Sequence, residues 1–165
     1  SEHIPACEKG FKDVMSKGPL AAFPMVGIKV TLNDGKYHDV DSSDLAYQLA
    51  ARTAMRDAVK KSSPVLMEPV MKVEVETPSD FQGSVIGDLS SRRGVVYGTE
   101  VNGDDTVINA GVPLGEMFGY ATQLRSLTSG KANYSMEFEK YNRCPAFVQE
   151  KVIKERDEKM REEQG

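Results

Sequence analysis

The sequence predicts an α+β fold built from two modules, and two patterns lead to this prediction. Between residues 68 and 142, strand and helix periods alternate in the order β-α-β-β-α-β, which is the split βαβ or ferredoxin-like arrangement. Residues 1–67 hold only two strand patterns beside two helix patterns, a thin core for their length. Either strands that normally precede this stretch are lacking, or a partner supplies them. A charged helix is predicted over residues 143–165.

Composition excludes several classes of protein. The 165 residues are 39% apolar and 28% charged, which is ordinary for a globular domain. No apolar run approaches the roughly 20 residues that span a bilayer, so no membrane partner is expected. The net charge of −4 predicts no general affinity for nucleic acid. Cys7 and Cys144 lie far apart without a C-x-x-C spacing, which favours two free thiols over a disulfide.

In the first module, helices are predicted over residues 2–17 and 43–61, and strands over 24–33 and 65–67. The prediction of the strand over residues 24–33 rests on strict alternation of apolar and polar side chains. The second helix is expected to turn a stripe of six side chains toward the core. They are Leu45, Leu49, Ala50, Thr53, Ala54 and Val59.

In the second module, proline and turn residues mark the boundaries of the predicted elements. Helices are expected to start near Pro78 and Pro113, since proline is tolerated in a first helical turn. Asn102-Gly103-Asp104-Asp105 is typical of a hairpin turn. Four strands are predicted, over residues 70–77, 95–101, 106–112 and 132–140.

The polar loop at residues 33–43 is the stretch most typical of a functional site. Asp34-Gly35 indicates a tight turn, and residues 41–43 are all good N-cap types for the helix that follows. His38 stands between acidic residues, and three interpretations of it stay open. In the first interpretation His38 is an acid–base group, in the second a solvated loop histidine, and in the third a polar contact group at an exposed tip.

Basic residues of the second module allow two interpretations. Arg92-Arg93-Gly94 follows a predicted helix, where it either caps the helix end or contacts phosphate. Arg125 and Lys131 would add a basic rim. The sequence contains no phosphate-binding loop, dinucleotide fingerprint, zinc spacing or nucleophile elbow.

Four longer motifs resemble one known family. They are Leu32–Gly35 with Tyr37–Ser43, Glu68–Val75, Gly83–Gly94 and Val112–Ser126. In content and in order these motifs resemble bacterial translation elongation factor G, and the resemblance covers residues 4 to about 154. Four long motifs in one order make the resemblance highly specific.

The resemblance implies an identity for each module. Residues 1–67 would be the latter part of the family's fourth domain, whose fold resembles part of ribosomal protein S-five and has further strands before this point. Residues 68–142 would be the fifth domain. The family couples GTP hydrolysis to movement of tRNA and mRNA on the cytoplasmic ribosome. The GTP and magnesium sites would lie outside this chain, which is expected to hold no cofactor, metal or catalytic residue and to neither bind nor hydrolyse GTP.

The resemblance also implies two contact regions on the ribosome. The loop around His38 would be the tip that enters the decoding region and holds the tRNA–mRNA duplex. Its contact residues would be Lys36, Tyr37, His38, Asp39, Asp41 and Ser42. The fifth domain would face ribosomal RNA at the stalk base and the sarcin–ricin loop, through Arg92, Arg93, Arg125 and Lys131.

Three other hypotheses compete with this one. In the first, the chain is a free-standing ferredoxin-like regulatory or ligand-binding protein. In the second it is a small hydrolase that uses His38, and in the third a divergent paralogue of the factor that acts in ribosome recycling. An uncovered sheet edge in the first module would also predict a dimer without physiological meaning, because unpaired edges attract other strands.

Overall fold

The computed structural model describes residues 2–165, so Ser1, the first residue of the predicted first module, lies outside it. The chain divides into two compact units. The first ends at Leu66 and also includes Pro145–Gly165, and the second is Met67–Cys144. The helices are α1 (Ile4–Met15), α2 (Asp44–Lys61), α3 (Gln82–Ser91), α4 (Tyr120–Leu127) and α5 (Ala146–Glu162). The strands are β1 (Met67–Pro78), β2 (Val95–Asn102), β3 (Asp105–Pro113) and β4 (Asn133–Arg143).

The second unit is a four-stranded antiparallel sheet with α3 and α4 against one face. The strand order is β2-β3-β1-β4. Val73, Val75 and Thr77 of β1 are buried while the residues between them are exposed, because successive side chains of a strand point to opposite faces. The core consists of Val73, Val75, Val85, Leu89, Ile108, Ala110, Val112, Met117, Tyr120 and Leu124. The predicted α+β class and split βαβ order are confirmed.

Both helices of the second unit begin later than the sequence predicts. A single turn of 3-10 helix follows each proline, at Ser79–Phe81 and at Leu114–Glu116. The helix α4 then begins after Gly119, whose φ of 74° is a conformation that glycine adopts at little cost. Proline therefore ends the strand at these two places instead of opening the α-helix.

In the first unit, α1 packs tightly against α2 at Gly10. A Cβ atom there would lie 2.9 Å from the Ala51 Cβ and would collide with the carbonyl oxygen of Gln48, so only glycine lets the two helices approach this closely. One turn along α1, Asp13 Oδ2 accepts hydrogen bonds from Arg52 Nη2 at 2.6 Å and from Gln48 Nε2 at 3.1 Å. The helix contact therefore joins apolar packing to a partly exposed ion pair.

The strand predicted over residues 24–33 is wrong, because this segment has no regular structure. Most of its apolar side chains are exposed, including Val26 at 76% and Leu32 at 48% of their maximum, while Met25 packs against the cluster between α1 and α2. Alternation of apolar and polar residues predicts a strand with one buried face. A strand forms only where a neighbouring strand completes its backbone hydrogen bonds. Within residues 2–165, none pairs with this segment. The predicted strand 65–67 is likewise reduced to Met67, the first residue of β1.

The apolar face predicted for α2 is largely wrong. The buried residues of α2 are Ala51, Met55 and Val59, the last two packing in a cluster with Val14 of α1. Of the six predicted residues only Val59 belongs to this face. The exposed ones are Leu45, Leu49, Ala50, Thr53 and Ala54. A helix this rich in alanine presents two apolar faces, and periodicity alone does not decide which of them meets α1.

The helix α5 packs within the first unit. The Gln149 Oε1 accepts the N–H of Leu66 at 3.0 Å. Arg156 Nε donates to the carbonyl oxygen of Ala21 at 3.1 Å, and the guanidinium lies 4.8 Å from the Phe23 ring centroid. This cation–π contact and the two hydrogen bonds hold irregular segments against a regular helix.

Both cysteines are buried free thiols. Burial raises the pKa of Cys144, which keeps this thiol protonated and poorly nucleophilic at neutral pH. None of the helices in the described part of the chain combines the length and apolar character that crossing a membrane requires.

Replacing Gly10 with alanine tests whether the helix contact outweighs helix propensity. Propensity alone favours alanine by about 1 kcal/mol, but the new Cβ would push α1 away from α2. We expect the free energy of unfolding of the first unit to fall by roughly 1–3 kcal/mol. Urea titrations followed by the amide signals of Met55 and Val59 measure it.

The matched control is Gly87→Ala in α3, where an added Cβ meets nothing within 4 Å. This substitution should stabilise the second unit by roughly 0.5–1 kcal/mol. A first unit stabilised by Gly10→Ala would contradict the proposed role of the contact.

The stability of the first unit should depend on pH through Asp13. Hydrogen bonds from Arg52 and Gln48 hold the pKa of Asp13 below its ordinary value. A lowered folded-state pKa stabilises the fold above the unfolded-state pKa of about 3.9, and this contribution is lost as the pH falls through the folded-state pKa. We therefore expect the free energy of unfolding to decline below about pH 4, and Asp13→Asn to flatten this decline in urea titrations. Asp57→Asn, on the exposed side of α2, should leave the slope unchanged.

Candidate functional site

The loop of residues 34–42, called the tip loop below, lies directly before α2. Ser43 is the N-cap of α2, and its Oγ accepts the N–H of Ala46 at 3.1 Å. This bond satisfies one of the amides that every helix start leaves unpaired. Asp44 adds a negative charge to the first turn, which the helix dipole favours. The tip loop is therefore attached to the end of an 18-residue helix.

The tip loop closes on itself around His38. The His38 N–H donates to Ser42 Oγ at 2.7 Å, and the Ser42 N–H donates back to the His38 carbonyl oxygen at 3.0 Å. The N–H groups of Val40 and Asp41 point at the Nδ1 atom of the His38 ring, at 3.3 and 3.4 Å. Because Nδ1 accepts these hydrogen bonds, the proton of the neutral ring lies on Nε2, which remains available as a donor.

The side chains of the tip loop are strongly exposed. His38 is 67% exposed, and Tyr37 and Val40 are 62% and 84% exposed. The polar neighbours of the His38 ring are backbone N–H groups and the Asp41 carboxylate, whose Oδ2 lies 3.5 Å from Nδ1. General acid–base catalysis needs the ring to face a reacting group, whereas Nδ1 here faces N–H groups of its own loop. The geometry supports a contact surface and gives the hydrolase hypothesis no support.

The structure brings all six predicted tip residues together in this one loop. Five are exposed and Ser42 is half-buried; the exposed ones are Lys36, Tyr37, His38, Asp39 and Asp41. The loop carries a single lysine against the aspartates at positions 34, 39 and 41. A loop of this charge is poorly suited to a tight grip on phosphate, which requires clustered cations.

Sequence reasoning missed two residues that support the tip loop, Tyr47 and His3. The Tyr47 hydroxyl donates to the carbonyl oxygen of Lys36 at 2.7 Å. The Tyr47 ring stacks on the His3 ring with centroids 4.5 Å apart. His3 Nδ1 lies 2.7 Å from Asp44 Oδ1, a contact between residues 41 positions apart. No local pattern signals such a contact, because it arises only when α1 packs on α2.

A groove of about 750 Å³ opens beside the tip loop. Cys7, Phe11 and Ala51 contribute apolar side chains to its lining, and residues 32–37 add a more polar side. Among residues 2–165, no group of three or more His, Cys, Asp or Glu side chains is placed to hold a metal ion. The site therefore offers exposed polar contacts and apolar surface.

In the second unit, Arg92 is held within the fold. Its Nη1 donates to the carbonyl oxygens of Glu116 and Phe118 at 2.6 and 3.3 Å, and its Nε donates to Asp88 Oδ2 at 3.0 Å. Its guanidinium also lies 5.1 Å from the centroid of the Tyr120 ring. Asp88 stands four positions before Arg92, so this ion pair was visible in the sequence.

Arg93 is likewise engaged with carboxylates. Its Nη1 and Nη2 donate to the two oxygens of Glu68 at 2.8 and 2.9 Å, and its Nε donates to Glu116 at 3.2 Å. The hydrogen bonds to Glu68 are the main reason why the pKa of Arg93 is raised. Arg125 and Lys131 are exposed. The ribosomal RNA contact of these four residues stays a prediction, and for Arg92 and Arg93 the geometry favours a role in holding the fold.

Two family models match the chain in succession. The model described as elongation factor G, domain IV matches residues 1–63, and the model described as elongation factor G C-terminus matches residues 65–152. Together the two matches include the second unit, the tip loop and the first unit up to residue 152 except for Pro64.

Curated proteins and solved structures give the same relationship. Elongation factor G from Aquifex pyrophilus is 56% identical over 155 residues, and elongation factor G 1 from Syntrophus aciditrophicus (strain SB) is 52% identical over 155 residues. Each alignment covers 94% of this chain, which spans only 22% of each relative. A crystal structure from Thermus thermophilus is similar with a TM-score of 0.86 and 39% identity, over 96% of this chain and 24% of that one.

A double-mutant cycle should show that Arg93 and Glu68 stabilise the second unit as a pair. The Arg93 and Glu68 side chains are 23% and 13% exposed. Arg93→Met therefore leaves the mostly buried Glu68 carboxylate without this partner, and Glu68→Gln leaves the mostly buried Arg93 guanidinium without its charged partner at position 68. We expect each substitution to destabilise the unit and their coupling energy to be about 2 kcal/mol in urea titrations. Arg125→Met, at an exposed position, should change stability by less than about 0.5 kcal/mol. Additive effects at positions 68 and 93 would exclude the pairing.

Proposed function

This chain belongs to the elongation factor G family, and on that premise we propose that it serves within a translational GTPase that moves tRNA and mRNA through the ribosome. The resemblance expected from the sequence is thus confirmed at the level of the family. Because the chain spans about a fifth of the length of its curated relatives, the activity of the whole factor is part of the proposal. So are its GTP and magnesium sites, which lie outside the matched domains, and its cytoplasmic location.

The observation that supports this proposal is the tip loop itself. It is an exposed, self-closed polar loop at the start of an 18-residue helix. A rigid helix with such an end can transmit a movement of the whole domain to a partner at the tip. In the proposal, the partner is the tRNA–mRNA duplex in the decoding region, and Lys36, Tyr37, His38, Asp39, Asp41 and Ser42 make the contacts.

The charge of the tip loop suits a transient contact. Every cationic contact with phosphate releases counterions and adds salt-dependent affinity, so a strongly basic tip would dissociate slowly. The single Lys36 among three aspartates avoids this. The Nε2–H of His38 supplies a directed hydrogen-bond donor to RNA without a permanent charge. The loop therefore occupies space and donates hydrogen bonds, and no bond chemistry is required of it.

The second unit has a different role in the proposal. Exposed Arg125 and Lys131 are its candidates for contact with ribosomal RNA, whereas Arg92 and Arg93 hold the helices and loops that carry them. The consecutive family matches give no support to a free-standing ligand-binding protein.

Replacing His38 with alanine in the full-length factor should slow translocation and spare GTP hydrolysis. The loss of one or two hydrogen bonds to RNA predicts a translocation rate about tenfold lower. Ribosome-stimulated GTP hydrolysis should stay at the parental rate, because the nucleotide site lies outside the matched domains. Stopped-flow measurements of mRNA movement and phosphate release separate the two steps.

The matched control for this experiment is Asp57→Ala, which removes a charge from an exposed position of α2 outside the tip loop. It should leave both rates unchanged. An equal loss of translocation and GTP hydrolysis in His38→Ala would argue against the mechanical role of the tip.

A further inference from the structure

We infer that Tyr47 is the positioning residue of the tip loop, and that His3 supports it from the other helix. The inference rests on the proposed function, since it concerns how the tip is presented to its RNA partner. It assigns a role to two side chains that lie outside the tip loop and make no contact with RNA in the proposal.

The tip loop is anchored on both sides. At its far end, the Ser43 cap fixes the chain to the start of α2. At its near end, the Tyr47 hydroxyl holds the carbonyl oxygen of Lys36 at 2.7 Å. Ser43 caps α2 and Tyr47 lies in its first turn, where the Tyr47 N–H donates to the Ser43 carbonyl oxygen at 3.0 Å. Only residues 37–42 extend between these two anchors.

Tyr47 is itself held by His3. The two rings are 14° from parallel with centroids 4.5 Å apart, and the His3 side chain is only 19% exposed. His3 Nδ1 lies 2.7 Å from Asp44 Oδ1, so the same imidazole contacts two residues of the first turn of α2. The Tyr37 ring lies 17° from parallel on His3, with centroids 6.3 Å apart. The ring stack therefore orients the tyrosine hydroxyl that anchors the loop.

The anchor affects how the tip loop binds its partner. A loop that is already ordered loses less conformational entropy when its partner surrounds it. The anchor also sets the direction in which His38 leaves the end of α2, and misplaced contact groups reduce rates sharply. Loss of the Tyr47 hydroxyl should thus weaken the contact of the tip without changing any residue of the tip.

The variant Tyr47→Phe tests this inference, because it removes the hydroxyl and keeps the stacked ring. In the 165-residue chain, heteronuclear NOE values of the amides of Tyr37, His38 and Val40 should fall, while those of Ala51 and Met55 in α2 stay high. His3→Leu should lower the same loop values, because it removes the ring stack and the contact with Asp44. Tyr141→Phe, which removes an exposed hydroxyl from β4 in the second unit, is the matched control and should change none of them.

In the full-length factor, Tyr47→Phe should slow translocation by up to about tenfold, because a loop released from this hydrogen bond must be ordered again before the tip can engage its partner. GTP hydrolysis should be unaffected. Combined with His38→Ala, it should add less than its separate effect, because both act through the same contact. A merely structural role would instead lower the thermal stability of the chain and add its full effect to that of His38→Ala.

The outcomes separate this inference from the proposed function. Unchanged NOE values in Tyr47→Phe would overturn the positioning role, whatever the translocation rate. A mobile loop together with full additivity would overturn it as well. A mobile loop in a factor that translocates at the parental rate, with His38→Ala equally without effect, would support the anchor and overturn the proposed function of the tip.

Discussion

The absence of a side chain at Gly10 is the constraint on which the candidate site depends. It lets α1 approach α2 so closely that a Cβ atom at position 10 would collide with Ala51 and with the Gln48 carbonyl oxygen. On one side of this contact Asp13 meets Arg52, and on the other side His3 reaches the Tyr47 ring. A larger residue at position 10 would separate the helices and pull His3 away from its stacking partner. The geometry of the tip loop is therefore set by packing two turns away from it.

The tip loop shows how a weakly charged surface acquires a defined shape. Its internal hydrogen bonds come from its own backbone, Ser42 and the His38 ring, and its anchors come from α2. Of the side chains that would touch RNA, Ser42 is half-buried, and the other five stay exposed. Order and exposure therefore coexist in one loop, because the groups that order it are mostly main-chain atoms. Such a loop contributes shape and directed hydrogen bonds to a contact, with little of the salt-dependent affinity that cations would add.

The arginines of the second unit illustrate the opposite case. Arg92 and Arg93 follow α3 directly and resemble a phosphate site in the sequence. In the structure, Glu68, Asp88 and backbone carbonyl oxygens satisfy much of their hydrogen-bonding capacity. Planar guanidinium groups suit this work, since each can hold several acceptors at once. These contacts join the start of β1, the end of α3 and the turn before α4, which are remote in the chain.

The sequence by itself determined the α+β class, the β-α-β-β-α-β order, the end of the tip loop at the N-cap of α2 and, through its motifs, the family. These features depend on local periods, turn residues and caps, which neighbouring residues alone specify. The tertiary structure alone decided that residues 24–33 form no strand among the described residues, which face of α2 is buried, and that Arg93 pairs with Glu68. It also decided that His3 and Tyr47 support the tip loop. Each of these depends on a partner far away in the chain or on a neighbouring strand, and a local pattern holds no information about either.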